Sequence, residues 1–139
     1  MISERDTVFV DTGAWIALAL SRDPLHTRAR EVWETLQEKG ARLCTSVPII
    51  LETFTFLDRN TTRNVALAWK DSLSEIPGLQ IVTVTPSDLR ESWSYFLRRD
   101  LHKLSAVDAT SFVLMSNQAI RTAFSFDHHF ALAGFHMAE

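Results

Sequence analysis

Apolar residues follow two spacings that alternate along the chain. Short β-branched or aromatic runs predict strands, at 7–10, 42–45, 79–84, 122–126 and a small edge strand within 134–137. Longer stretches with apolar residues at helical spacing predict helices, over 13–20, 23–40, 46–57, 61–76, 85–97 and 105–117. Because strands alternate with helical crossovers, we predict one α/β domain over residues 1–139, with a parallel sheet covered by helices on both faces.

Local signals predict where several helices begin and which side chains they bury. Asp23-Pro24 and Ser46 are typical helix starts, and Ser46 is expected to cap the helix that follows it. The helix after Thr85 is expected to turn four apolar residues inward, Leu89, Trp93, Phe96 and Leu97. The tryptophans are expected in the core or an interface, at Trp15, Trp33, Trp69 and Trp93.

Two acidic residues stand where predicted strands end. Asp11 follows the first strand and Asp127 follows the last long one. Ligands of open parallel sheets bind beyond the carboxyl ends of the strands, so both side chains are candidates for a site there. Each also has an ordinary structural interpretation, Asp11 as the N-cap of the next helix and Asp127 as a turn residue.

Two further acids lie on predicted helices. Glu52 has apolar or weakly polar neighbours one helical turn away, where an isolated carboxylate would be desolvated, so we expect it to meet a cation or to exit at the edge of the core. Asp108 lies three residues after Ser105, which permits a capping box. The first turn of that helix would also let the carboxylate point into the crevice.

These four acids favour one kind of chemistry if they meet. Three Asp and one Glu repel one another unless divalent cations lie between them, and all-oxygen donors favour Mg²⁺ or Mn²⁺. Such a centre suits hydrolysis of a phosphodiester. Motifs for a Walker loop, a dinucleotide fingerprint or a serine nucleophile are absent from the sequence. The neighbouring His128-His129 is interpreted as a surface pair.

Four segments, each centred on one of these acids, resemble the PIN-domain ribonucleases, in particular the VapC-type toxins of toxin–antitoxin pairs. They occupy residues 10–18, 50–57, 104–112 and 126–135. The resemblance implies a three-layer α/β/α fold with a central, mainly parallel sheet of four to five strands. It also implies an Mg²⁺- or Mn²⁺-dependent endoribonuclease.

The resemblance further implies which residues form the site and which molecules bind the protein. The catalytic, metal-binding acids would be Asp11, Glu52, Asp108 and Asp127. Ser105 and, as a weaker candidate, Thr12 would support them. The family also implies an RNA substrate, a VapB-like cognate antitoxin and a homodimer.

Net charge initially counts against a nucleic-acid partner. The formal charge is −3 and the pI is near 5.9, whereas nucleic-acid binders usually have a basic surface. Setting aside the four candidate ligands leaves 13 acidic against 14 basic residues. We therefore expect metal and RNA to bind cooperatively. Arg98, Arg99 and Lys103 are candidate phosphate contacts, with a solvated, basic helix end as the alternative.

Composition narrows the class of protein further. With 46% hydrophobic and 22% charged residues, the chain is expected to fold without a membrane span, and the single Cys44 favours a reducing, cytoplasmic setting. A non-catalytic PIN-like module that binds RNA or protein stays open as an alternative. A phosphoacceptor signalling domain is disfavoured, because one acid rather than a pair follows the first strand.

Overall fold

A parallel sheet organises the fold. The computed structural model describes residues 6–138 of the chain. In the described part the strands are β1 (Thr7–Val10), β2 (Arg42–Ser46), β3 (Gln80–Val82), β4 (Thr122–Phe124) and β5 (His136–Met137). They pair in parallel in the order β3-β2-β1-β4-β5, which confirms the predicted parallel sheet.

Helices connect the strands and form two packed groups. Over residues 6–138 they are α1 (Thr12–Ala19), α2 (His26–Glu38), α3 (Val47–Asn60), α4 (Arg63–Ser72), α5 (Pro86–Ser92), α6 (Ala106–Asn117) and α7 (His129–Leu132). Helices α1 to α4 pack against one another, as do α5 to α7. The result is the expected three-layer α/β/α architecture. None of these helices combines the length and the apolar character needed to cross a bilayer.

The core lies around β1, the central strand. Val8, Phe9 and Val10 are all fully buried, because helices cover both faces of the sheet. On one side, Trp15 of α1 packs against Trp33 and Trp69, with ring centroids 6.1 and 6.0 Å apart. These three tryptophans contribute to packing, as expected.

The strand order reverses at β1, and this creates a crevice. Strands β2 and β3 lie on one side of β1, and β4 and β5 on the other. The backbone N–H of Asp11, just beyond β1, donates to the carbonyl of Phe124 in β4 over 3.0 Å. The carboxyl ends of β1 and β4 are therefore tied together where an open α/β sheet binds its ligands.

Several predicted boundaries need correction. Asp23 does not cap α2; its Oδ1 accepts from the Leu25 N–H at 2.8 Å in a local turn, and the helix begins at His26. The helix predicted over 61–76 begins at Arg63 and tightens into a 3₁₀ turn after Ser72. Helix α7 was not predicted, because one turn carries too little periodicity. Ser46 does cap α3, accepting from the N–H of Ile49.

The inward orientation expected for four apolar residues after Thr85 is wrong. Leu89, Trp93, Phe96 and Leu97 are exposed, Leu97 by 85%. Leu89 is already exposed on α5, which ends at Ser92 and continues as a 3₁₀ helix over Trp93–Leu97, whose three-residue turn changes which of the later side chains face the core. Ser92 is buried in their place, so Trp93 lies at the surface instead of in the core.

Candidate metal centre

Asp11 places a carboxylate at the base of the crevice. The side chain is buried, and its Oδ2 accepts a hydrogen bond of 2.9 Å from Oγ of Ser125, the residue that follows β4. Its Oδ1 is buried and has no hydrogen-bonding partner in the part of the chain described. An unpartnered buried carboxylate oxygen is costly, so this atom is suited to a cation.

Ser125 connects Asp11 to Asp127. Its Oγ, besides donating to Asp11, accepts from the backbone N–H of Asp127 at 3.0 Å. Oδ1 of Asp127 accepts in turn from the backbone N–H of His129 at 2.9 Å. The segment after β4 therefore holds both acids at the carboxyl ends of adjacent strands. Sequence reasoning missed Ser125, although a polar residue between Phe124 and Phe126 at a strand end was a usable signal.

Asp108 reaches the same crevice from the first turn of α6. Ser105 caps this helix by accepting from the Asp108 N–H at 3.0 Å, while the buried Asp108 carboxyl group hydrogen-bonds to Asp127. Burial, together with the negative charge of Asp11, raises the pKa of Asp108 to about 9. Burial also acts to raise the pKa of Asp127, but its hydrogen bonds to Asp108 and to the His129 N–H lower it overall.

The carboxylates interact electrostatically as a group. Burial, with smaller contributions from the charges of Asp127 and Glu52, raises the pKa of Asp11 to about 6 despite its hydrogen bond from Ser125. Asp11, Asp127 and Glu52 likewise contribute to the raised pKa of Asp108. The structure therefore brings the four predicted acids into one electrostatic cluster, and without a cation part of the cluster holds protons near neutral pH.

Glu52 approaches the cluster from the solvent side. It lies on α3, is exposed, and its Oε1 accepts a 2.6 Å hydrogen bond from Oγ1 of Thr12 in α1. Of the two outcomes expected for Glu52, a cation partner or an exit at the edge of the core, the structure shows the exit, because α3 places this residue at the edge of the core. Thr12, by contrast, is placed where it can orient the Glu52 carboxylate.

The interpretation of His128 and His129 as a surface pair is also wrong. The side chain of His128 is 76% exposed, but that of His129 is only 8% exposed. Each of these rings, together with Asp127, offers a ligand-type atom within 4.8 Å of the others, a group that includes one of the four acids. Burial of His129 depends on α7, so the sequence pattern carried no signal for it.

The three basic candidates differ in how they are held. Arg98 donates to Asp100, with 2.6 Å between Nη2 and Oδ2, and to the Leu132 carbonyl at 2.9 Å. The contact with Leu132 ties the segment before α6 to α7. Arg99 and Lys103 are exposed. The Arg98 side chain is therefore held by contacts within the protein, whereas those of Arg99 and Lys103 are accessible to a substrate.

The donor set fits a hard divalent cation. The four acids supply carboxylate oxygens and influence one another electrostatically, and Oδ1 of Asp11 has no hydrogen-bonding partner among the described residues. Mg²⁺ and Mn²⁺ prefer such oxygen ligands, and Mg²⁺ usually keeps several waters in addition to a few carboxylates. The residues that would hold the ion are therefore Asp11, Glu52, Asp108 and Asp127.

Comparisons with known proteins cover nearly the whole chain. A sequence model of the PIN domain matches residues 8–135. The 23S rRNA-specific endonuclease VapC20 of Mycobacterium tuberculosis, from strains CDC 1551 / Oshkosh and ATCC 25618 / H37Rv, is 36% identical over 130 residues, covering 92% of this chain and 95% of the relative. The crystal structure of M. tuberculosis VapC20, a sarcin-ricin loop cleaving toxin, matches with a TM-score of 0.82 and 32% identity over 92% of this chain and 95% of that one. The resemblance noted from the sequence is thus confirmed, and the chain belongs to the PIN-domain family.

Proposed function

We propose that this protein is a divalent-metal-dependent endoribonuclease, the VapC-type toxin of a toxin–antitoxin pair. The observation that carries the proposal is the unpartnered, buried Oδ1 of Asp11 within a cluster of mutually repelling carboxylates. A hydrolase of RNA is the activity that fits both this cluster and the relative VapC20, which cleaves 23S rRNA.

Each acid is held by a different element. Ser125 fixes one oxygen of Asp11 and leaves the other for a cation, and Thr12 orients Glu52. The Ser105 cap fixes the start of the helix that carries Asp108. When bound, Mg²⁺ or Mn²⁺ would neutralise the acids and the scissile phosphate and would acidify a water for attack on phosphorus. The chain supplies rigid, preorganised ligands for that chemistry.

Protons occupy part of the site when no metal is bound. Asp108 holds a proton near neutral pH and donates it in a hydrogen bond to the ionised Asp127. Metal ligation requires ionised carboxylates, so binding releases this proton. Metal affinity should therefore increase with pH up to about 9.

RNA is expected to contact the rim of the crevice. Arg99 and Lys103 are exposed on the segment before α6 and can meet phosphates on either side of the scissile one. Arg98 can contribute only by leaving Asp100 and the Leu132 carbonyl. The sarcin–ricin loop of 23S rRNA is the first substrate to test, since the relative is named for it.

Family membership supports further partners. We extend the proposal to a VapB-like antitoxin that inhibits the toxin, to a homodimer, and to a cytoplasmic setting where RNA is available. Exposed apolar side chains on α5 and the 3₁₀ helix after it, including Trp93 and Leu97, are suited to a protein–protein contact.

The decisive experiment compares matched Asp→Asn variants on an RNA that contains a sarcin–ricin loop. The wild-type protein should cleave it with Mg²⁺ or Mn²⁺ and stop in EDTA. Asp11→Asn should be at least about 100-fold slower, because the cation loses a ligand. Asp71→Asn, on the exposed surface of α4, should cleave normally. Cleavage in EDTA, or full activity of Asp11→Asn, would contradict the proposal.

Two further measurements separate the alternatives. Calorimetry with Mn²⁺ distinguishes a nuclease from a non-catalytic PIN-like module, because a folded protein that binds no divalent ion supports the module. Sequencing the 5′ ends of cellular RNA after induced expression identifies the cleaved bond. Fragments with 5′ ends inside the sarcin–ricin loop are the expected result.

A further inference from the structure

His129 is a buried histidine with an oxygen facing each ring nitrogen. Its Nδ1 lies 2.8 Å from Oδ1 of Asp127, at ion-pair distance but without the geometry of a hydrogen bond, and it has no hydrogen-bonding partner among residues 6–138. Its Nε2 lies 2.6 Å from the backbone carbonyl of His102. Because each ring nitrogen already faces a protein oxygen, His129 is better suited to orient Asp127 than to bind a metal.

Two nitrogens of His129 address the same oxygen of Asp127. The backbone N–H donates to Oδ1 at 2.9 Å, and the ring Nδ1 approaches that oxygen from a second direction. A carboxylate held at one oxygen by two groups has little freedom to rotate.

The same histidine connects Asp127 to the segment that leads into α6. His102 belongs to this segment, which ends at the Ser105 cap and places Asp108. Arg98, from the same segment, donates to the Leu132 carbonyl at the other end of α7. The short helix α7 is thus held at both ends against the chain that precedes Asp108.

We propose that His129 is a positioning residue that orients Asp127 and sets its distance from Asp108, so that the ligands are in place before a metal arrives. The inference rests on the proposed function, because it assigns both acids to the metal centre. Residues that orient metal ligands in this way typically contribute 10- to 100-fold to metal affinity.

Two substitutions separate the two contacts of the ring. In His129→Asn the amide can replace Nδ1 and keep the contact with Asp127, while the contact with His102 is lost. In His129→Gln the longer amide can replace Nε2 and keep the contact with His102, while that with Asp127 is lost. His136→Gln, on the exposed edge strand β5, is the matched control.

Mn²⁺ affinity, measured by calorimetry without RNA, is the primary readout. We expect His129→Asn and His136→Gln to stay within about threefold of the wild type, and His129→Gln to bind about 10- to 100-fold more weakly. In RNA cleavage, His129→Gln should lower kcat more than it raises KM. Thermal unfolding of both His129 variants should be similar, so that stability does not explain the difference.

Other outcomes overturn the inference in distinguishable ways. Equal Mn²⁺ affinity in His129→Gln and the wild type, or equal losses in both His129 variants, would reduce His129 to a packing role. A wild-type protein that binds no Mn²⁺ would overturn the metal centre as well. If His129→Gln does not fold, ¹⁵N NMR of the wild-type ring decides: both nitrogens should keep hydrogen-bonded shifts in saturating Mg²⁺, and a coordination shift at either would refute the inference.

Discussion

Helices α5 and α6 begin with the same local pattern and use it differently. Both carry a hydroxyl residue at the N-cap and an Asp three residues later, in Thr85–Asp88 and Ser105–Asp108. At α5 the capping box is complete: Oγ1 of Thr85 accepts from the Asp88 N–H at 3.1 Å, and Oδ2 of Asp88 accepts from the Thr85 N–H at 2.9 Å. At α6 the hydroxyl accepts, but the carboxyl group of Asp108 hydrogen-bonds to Asp127.

The surroundings of the two carboxyl groups explain the difference. Asp88 lies near the surface and accepts a further hydrogen bond from Asn117; its bonds from Thr85 lower its pKa. Asp108 is buried beyond the carboxyl ends of β1 and β4, where burial and neighbouring acids raise its pKa to about 9. A capping motif thus stabilises a helix at one site and, at the other, directs an acid into the crevice.

The largest expected difference between the two acids is in catalysis. Asp108→Asn should reduce RNA cleavage by more than about 100-fold, because the proposed metal loses a ligand, and groups that only orient such ligands already contribute 10- to 100-fold. Asp88→Asn should leave cleavage unchanged. The measurement is kcat/KM with Mg²⁺ for both variants. Equal effects, in either direction, would remove the functional distinction between the two helix starts.

Stability should change in the opposite sense. Without metal at pH 8, Asp108→Asn should increase the free energy of unfolding by about 1 to 3 kcal/mol, since the amide keeps a donor toward Asp127 and removes an acid with a raised pKa. Asp88→Ala should decrease it by about 0.5 to 1 kcal/mol through loss of the capping box. Urea unfolding in EDTA measures both. Destabilisation by Asp108→Asn would show that its carboxyl group supports the fold.

The sequence predicted the features that depend on burial along the chain. The apolar runs located β1 and β4, and so placed Asp11 and Asp127 near the carboxyl ends of parallel strands, as the structure confirms. The capping pattern before α6 was also recognised from local residue types. These features could be predicted because they depend only on residues close in sequence and on a sheet that helices cover on both faces.

Features that depend on distant contacts were not predictable in this way. Ser125 bonds Asp11 across 114 positions of the chain, and the His129 ring contacts the backbone carbonyl of His102, 27 positions away. The exposure of Glu52 depends on which side of α3 meets the sheet, and apolar residues on most faces of that helix left this open. Trp93 is exposed where the helix changes to 3₁₀ geometry, and the spacing of apolar residues did not predict this change.

Asp108 and Asp88 should also make the free energy of unfolding respond to pH in opposite directions. Asp108 and Asp11 have folded pKa values of about 9 and about 6, above the ordinary value of 3.8, so the folded protein binds their protons more tightly and stability falls as pH rises from about 4 to 9. Asp88 has a lowered pKa, so its contribution is present above about pH 4 and is lost on acidification.

Unfolding in EDTA at several pH values tests this response. Asp108→Asn should flatten the fall between about pH 6 and 9, and between about pH 4 and 6 it should reduce the slope to the part that Asp11 contributes. Asp88→Asn should leave the slope of stability against pH unchanged in both of these ranges and alter only the loss of stability below about pH 4. Saturating Mg²⁺ should reduce the fall in the wild type, because the ion favours the ionised carboxylates. A wild-type profile that is flat from pH 5 to 9 would contradict the raised pKa values.

The smallest expected effect comes from the cap hydroxyls themselves. Thr85→Ala and Ser105→Ala each remove the acceptor for an Asp N–H and should each cost about 1 kcal/mol of unfolding free energy. Their effects on cleavage should differ. Loosening the first turn of α6 moves Asp108, whereas loosening the first turn of α5 moves only Asp88 near the surface. We expect a loss of a few-fold in kcat/KM for Ser105→Ala and none for Thr85→Ala. If Ser105→Ala loses stability but cleaves normally, the cap stabilises α6 without positioning Asp108, and the two helix starts differ only in the direction of their carboxyl groups.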